Sequence, residues 1–376
     1  MEENRTTLAA EIAAELEFAL PTAASSLAEK LQLSETLRAT LKRFQLIRSL
    51  ALPGQHLEHD TTTHDVCGVA ASVASLPAFG GLLYGTIAHA HRLHLRQRAI
   101  LDASEQARVH VGDLDFYESG ERLHWLQTRH LYELIDELLA EREPPRILLL
   151  DQPLFISRGQ EGNREMIEEV EEELVAMSDT VNGFWKRNLP KLYPLASEGV
   201  SIASLSTQNP YHLFVALHNN PATSPDPVAP EAPTFIRSEW KRLRKSGMAR
   251  LLDGLLTPGS RSVAYAFEDL KLDPRWQPTE LHHSGILSFY LRAGPQTPIW
   301  QVQIAGHRTQ WTSERLDALA LAICQVTLGT GRKAEPLPLW YARRLAIFPH
   351  SMLEVFRDLA QERLMLEATP SPEQTR

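Results

Sequence analysis

One short run constrains this chain more than any other. A helix-type segment is broken at Glu143-Pro144-Pro145, and Arg146-Ile147-Leu148-Leu149-Leu150-Asp151 follows. Proline cannot continue a helix, so the apolar residues after it start a new element. A short apolar run bounded by a break reads as a buried strand. A carboxylate at the end of such a strand is costly to bury unless it is paired or meets a cation. Open α/β sheets place their chemistry at that end. Asp151 is therefore the first candidate residue.

The segments around it set the expected order. Residues 7–52 carry leucines at helical spacing. Pro21 interrupts them, Ser34 is placed to cap a second helix, and Pro53-Gly54 ends the run, so a helical hairpin is expected. Val66–Val73, Leu82–His91 and Arg108–Phe116 read as three strands, with Gly80-Gly81 as a turn. Residues 121–141 read as a helix whose stripe is Leu123, Leu126, Leu131, Leu134, Ile135 and Leu138. Strand, strand, strand, helix, strand is the opening of an α/β, RNase H-like mixed sheet flanked by helices, and also of several other α/β folds. Further on, 161–196 reads as helix and Ser201–Leu205 as strand. The proline-rich stretch 219–233 reads as an extended surface loop. Residues 261–267 and 285–304 read as strands, and 312–328 and 350–366 as helices. The expected units are an N-terminal helical segment (1–53), a main domain (54–367) and a disordered tail (368–376).

Composition narrows the class. The formal net charge is -9, so nucleic-acid binding needs a local basic patch. Arg237, Lys241, Arg242, Arg244 and Lys245 form such a patch. Two cysteines, Cys67 and Cys324, are too few for a disulfide framework or a thiolate metal site. A reducing cytoplasm is the expected compartment. No apolar run reaches the ~20 residues that cross a bilayer. Residues 1–5 open with acids and lack a basic leader region, so no signal peptide is expected.

Two-metal phosphoryl chemistry needs several carboxylates converging from different elements, because the two ions must clamp the attacking and leaving oxygens. Glu133 on the helix and Asp151 on the next strand suit two of those places. Glu133 also stands four residues from Arg129, which suits a helical ion pair. His56, His59 and His64 cluster with Asp60 and Asp65 before the first strand, and His89, His91 and His94 lie along the second. Their spacing matches no established zinc pattern, and polar loop residues are the simpler reading. Trp185 and Trp240 sit among basic residues, where they either stack bases or face a core.

Several short stretches resemble the NurA nuclease family, partners of HerA hexameric DNA-translocase ATPases, over roughly residues 66–366. Arg129 and Glu133 are similar to the family's arginine and glutamate four apart. Leu150-Asp151-Gln152-Pro153-Leu154 is similar to a strand ending Asp-Gly-Ser-Leu. Pro336–Ile347 is similar to the family's carboxy-terminal motif. The resemblance implies DNA as ligand, Mn²⁺ or Mg²⁺ as cofactor, a HerA-like ATPase as partner, and a homodimer. It also marks two losses. The first-strand aspartate of the family falls on Ala70, and its carboxy-terminal histidine on Arg343. A methyl group cannot ligate a metal, and a guanidinium repels one. A catalytically depleted protein of DNA end processing or defence against foreign DNA follows, with Arg343 pairing with Asp151. The alternative is an active metal-dependent nuclease in which Asp60 or Asp65 joins Glu133 and Asp151.

Overall fold

The amino-terminal leucines form one helix, α1 (Glu2–Leu41), with Pro21 inside it. The expected hairpin is absent, because Pro21 removes one hydrogen-bond donor without reversing the chain. Ser34 is buried mid-helix rather than capping a second one. Gln45, with φ 55°, ends the helical path after a 3-10 turn at Lys42–Phe44. The chain then enters β1 (Ile47–Ser49), a strand where the leucine spacing pointed to helix. The computed structural model describes residues 2–50, 63–96, 99–117, 119–154, 168–197, 201–207, 211–219, 224–266, 281, 285–306, 308–328 and 334–368.

Next comes a meander of three 16-residue strands: β2 (Thr63–Ala78), β3 (Gly81–Arg96) and β4 (Ala99–Leu114). Phe79 and Gly80 both have positive φ (52° and 81°), the geometry that a two-residue hairpin turn needs to follow strand twist. The strands outrun the sequence patterns because their small and polar residues hold the ladder as well as the apolar ones do. The chain continues through α2 (Ser119–Ala140), β5 (Ile147–Leu150), α3 (Glu168–Ser197), β6 (Ser201–Ser206), α4 (His212–Asn219), α5 (Ala232–Ser238), α6 (Trp240–Ser246) and α7 (Met248–Leu255). It ends with β7 (Ser260–Ser262), β8 (Tyr265–Ala266), β9 (Ile286–Arg292), β10 (Trp300–Ala305), α8 (Ser313–Val326), β11 (Thr327–Leu328), β12 (Glu335–Pro336), α9 (Leu337–Leu345) and α10 (His350–Ala368).

The main sheet runs β1-β7-β9-β10-β6-β5-β2-β3-β4, with β8 beside β9. The β2–β5 and β5–β6 pairs are parallel and the others antiparallel, so the sheet is mixed. This is the RNase H-like arrangement expected from the element order. β1 pairs with β7 and ties the N-terminal segment to this sheet.

Alternation along the strands sorts the two faces. Cys67, Val69, Ala71, Leu148 and Leu150 pack with Trp125, Leu131, Phe184 and Trp185 from α2 and α3. Val66, Ile147, Leu149, Ala203 and Phe289 face the other way, toward Leu316 and Ile323 of α8 and Leu339 of α9. Helices α2 and α9 thus cover opposite faces.

The proline-rich segment departs from the exposed loop expected of it. Asn219 belongs to α4, residues 232 and 233 begin α5, and Asp226 between them is buried. Asp226 accepts from the fully buried Arg261 twice, at 2.8 Å each, from Ser313 Oγ at 2.7 Å and from the Ala264 amide at 2.8 Å. The segment after it, expected only as a basic stretch, forms α5, α6 and α7, and Gly247 at φ 86° separates the last two.

Candidate functional site

Asp151 follows β5, and its backbone N–H donates to Val69 O at 3.2 Å. In the parallel register Val69 stands opposite Leu150. Ala70 therefore lies next to Asp151, on the face that α9 covers. The Asp151 side chain is 15% exposed, and its Oδ2 lies 3.9 Å from Arg343 Nε. Its Oδ1 is buried with no hydrogen-bond partner. Burial pushes the carboxyl up to about 6, against the pull of Arg343 and with a further push from Glu335. Arg343 also forms an ion pair with Glu335, at the start of α9. These three residues share a cavity of about 230 Å³ with Ser206, Trp300 and Leu339.

The small residues of β2 explain how α9 comes so near. A side chain on Gly68 would collide with the backbone of Pro338 and Leu339. Ala70 packs against Ala342 and Ala346. Ser72 Oγ donates to Ala346 O. The helix backbone lies on the strand, and the place beside Asp151 is filled by methyl groups.

The other expected residues lie elsewhere. Glu133 is on α2, across the sheet from Asp151. It pairs with Arg129 at 3.0 Å and with Arg108 at 2.9 Å. Asp65 accepts from Arg92 at 2.8 and 2.7 Å and from the Arg146 backbone at 3.3 Å. It sits beside the start of β5, roughly five residues or ~17 Å of strand from Asp151, and points to the α2 face. The sequence-based grouping of Asp65 and Glu133 with Asp151 therefore fails, because strand alternation sends Asp65 to the opposite face and α2 lies on that face. Asp60, His56 and His59 lie outside the described residues.

His89 and His91 do share the α9 face. Their ring nitrogens approach Glu105 at 3.6 and 3.9 Å, and His91 stacks on Tyr341 with centroids 4.6 Å apart. Burial lowers the pKa of both rings. His94 lies 3.6 Å from Asp65.

The basic patch is partly offset. Arg242 pairs with Glu239 and Lys245 with Glu29, while Arg237 donates to His218 O. Lys241 and Arg244 are exposed on α6 beside them. Trp185 is a core residue, whereas Trp240 packs its ring on His218 at 4.2 Å.

Sequence reasoning missed Glu335. Its only signal was its place immediately before the Pro336–Ile347 stretch. A divalent ion needs several oxygen or imidazole ligands converging on one point. Among the described residues no three His, Cys, Asp or Glu side chains are so grouped. Asp151 has an orphan oxygen, but Ala70 beside it offers only a methyl group, and the one acid of its cavity lining besides it, Glu335, is paired with the same Arg343 guanidinium. The described residues around Asp151 do not fit a two-metal centre.

No protein-family model matches the chain, and no curated protein matches it in sequence. Solved structures do. The NurA nuclease from Sulfolobus solfataricus matches with a TM-score of 0.54 at 12% identity, covering 96% of this chain and 98% of that one. The chain has a NurA-like fold. A structure of NurA with manganese matches at TM-score 0.46 and 11% identity, over 96% of this chain and 98% of that one. The catalytic domain of human Endonuclease V matches at 0.33 and 16%, over 88% and 98%. Among the described residues of this NurA-like chain, no helix is long and apolar enough to cross a membrane.

Proposed function

We propose that this NurA-like protein is a catalytically depleted, DNA-associated partner of a HerA-like hexameric ATPase, acting in DNA end processing or in defence against foreign DNA. The observation that carries the reading is that Glu335, the acid sharing the cavity, is paired with the same Arg343 that faces Asp151. The neighbour of Asp151 on β2 is Ala70, its charged partner is Arg343, and Glu133 sits on the other face of the sheet. Arg343 supplies a permanent positive charge where a divalent ion would otherwise bring one. The ion pair holds the fold's acidic strand end without the ligands that hydrolysis needs.

The exposed basic residues Arg237, Lys241, Arg242, Arg244 and Lys245 are proposed as the DNA-contacting surface. Phosphate contacts of this kind position a duplex without reading its sequence. The protein is proposed to work as a homodimer in the cytoplasm and to need no Mn²⁺ or Mg²⁺.

The test is direct. Purified full-length protein with Mn²⁺ or Mg²⁺ leaves linear duplex and single-stranded DNA intact, and co-expression with a HerA-like ATPase gives a complex that stays together on size exclusion. Digestion that Asp151→Ala abolishes overturns the depleted reading. Separate elution of the two proteins overturns the partnership.

A further inference from the structure

The main sheet ends on both sides in an unpaired strand, but the two ends are unequal. At one end stands β1, three residues long, and at the other stands β4, sixteen residues long. A long, open edge presents a row of unpaired N–H and C=O groups and is a template for another strand. Among the described residues no segment of this chain pairs with the outer side of β4. Most of its residues are exposed, including Ile100 (49%), Leu101 (59%) and Val109 (59%). Helix α9 covers β2 and β3 but leaves the same face of β4 bare. Along its centre there is no proline and no lysine, and its two charged residues there are drawn to its own chain: Arg108 and Gln106 lean onto Glu133 and Glu137 of α2, and Glu105 approaches His89 and His91, which leaves the outer backbone groups open.

We propose that β4 is the interface between two copies of this chain, pairing antiparallel with β4 of the second copy about a two-fold axis through Gln106. This rests on the homodimer reading above and says where that dimer forms. A two-fold axis perpendicular to the sheet keeps each face on its own side, so facing residues must point the same way. That restricts the axis to pass through a residue rather than between two. An axis at Glu105 would set two carboxylates against each other, and an axis at Arg108 two guanidinium groups; like charges directly opposite are destabilising. An axis at Gln106 avoids both. It sets Asp102 opposite His110 of the second copy, an acid against an imidazole. It sets Ala103 opposite Val109, apolar against apolar, and brings together two uncharged Gln106 side chains, each donating to Glu137 of its own α2. An axis at Ala107 would lose the Asp102–His110 pair, placing Asp102 opposite Gly112. The irregularity between His94 and Leu95, where Leu101 has no partner on β3, ends the regular stretch at Asp102. Bulges terminate pairing, so the shared ladder spans Asp102 to His110 in each copy.

The test uses the full chain. Facing residues in an antiparallel pair have Cα atoms about 4.5–5.5 Å apart, within disulfide range. Gln106→Cys is thus expected to form a covalent dimer on mild oxidation. The native protein does not, because Cys67 and Cys324 are both buried. Light scattering on size exclusion is expected to give twice the chain mass for the native protein. Ala103→Lys/Val109→Lys is expected to halve that mass while circular dichroism stays unchanged. A monomer mass for the native protein at tens of micromolar defeats the dimer itself. A dimer mass without cross-linking in Gln106→Cys, or a dimer that survives the double lysine substitution, leaves the homodimer standing and overturns this interface.

Discussion

Asp151 keeps its Oδ2 3.9 Å from Arg343 Nε while its Oδ1 is buried without a hydrogen bond. The carboxylate is half served, and the cost of burial exceeds what one exposed guanidinium returns. Its carboxyl is accordingly raised to about 6 rather than depressed, as a well-paired acid would be.

The pH dependence follows from that sign. An acid whose native pKa exceeds its unfolded one binds its proton more tightly in the folded state. Its ionisation then lowers stability as pH rises from the ordinary carboxylate range through about 6. Asp151→Asn removes this burden. The substituted protein is expected to be more stable than the native one at pH 7.5, by on the order of 2 kcal/mol, and no more stable at pH 4. Thermal unfolding of both proteins across that range checks it, and a difference independent of pH refutes it.

Gly68 is the tightest point between the sheet and α9. Gly68→Ala puts a Cβ into the backbone of Pro338 and Leu339, so helix and strand must part. A loss of about 1–3 kcal/mol is expected, typical of overpacking, with faster amide exchange in α9 than in α2. Unchanged exchange in α9 would contradict the close approach.

Arg261, Asp226, Arg48 and Asp317 form one network, in which Arg261 and Asp226 are fully buried and Arg48 and Asp317 partly exposed; Arg261 also meets Asp317 at 2.6 Å, and Arg48 meets Asp226 at 3.5 Å. Burial pushes the Asp226 carboxyl up, but Arg261, the Ala264 amide and Ser313 together leave it below the usual carboxylate range. A depressed acid contributes stability above its unfolded pKa and loses it as pH falls through the folded one. Arg261→Met leaves the buried Asp226 carboxylate with only the longer contact to Arg48 as a cationic partner and is expected to cost about 3 kcal/mol at pH 7. Arg48→Met is expected to cost about 1 kcal/mol or less, as exposed pairs do. Urea unfolding of the two variants measures the difference, and equal losses would show that Arg48 supports Asp226 as much as Arg261 does.

Glu133 is held by Arg129 and Arg108 on the α2 face. Glu133→Ala is expected to change stability by less than about 1 kcal/mol and to leave DNA binding unaltered in a filter or anisotropy assay. A tenfold loss of binding would return Glu133 to the functional site.

Much of the fold was legible in the residues. The meander, the leucine-striped α2, the apolar run before Asp151 and the closing helices each carry a local period, and a period is set by which side chains face a core. Three features were not legible. Leucine spacing through residue 50 hid β1, because a strand of three residues is decided by its partner β7 rather than by its own pattern. The proline-rich composition around Asp226 suggested exposure, and only the distant Arg261 makes its burial affordable. The segment after Pro336 carried no clear helical stripe, since α9 buries only Pro338, Leu339 and Ala342.

The linear sequence by itself determined that Asp151 ends a buried strand and that position 70 offers only a methyl group. Only the tertiary structure decided which acids share a face. Glu133 and Asp65 are close to Asp151 in chain order or element order, but a pleated sheet sends successive side chains to opposite sides, and α2 packs on the side away from α9. Strand parity and helix placement are settled by packing across the whole sheet, and no spacing along the chain records them.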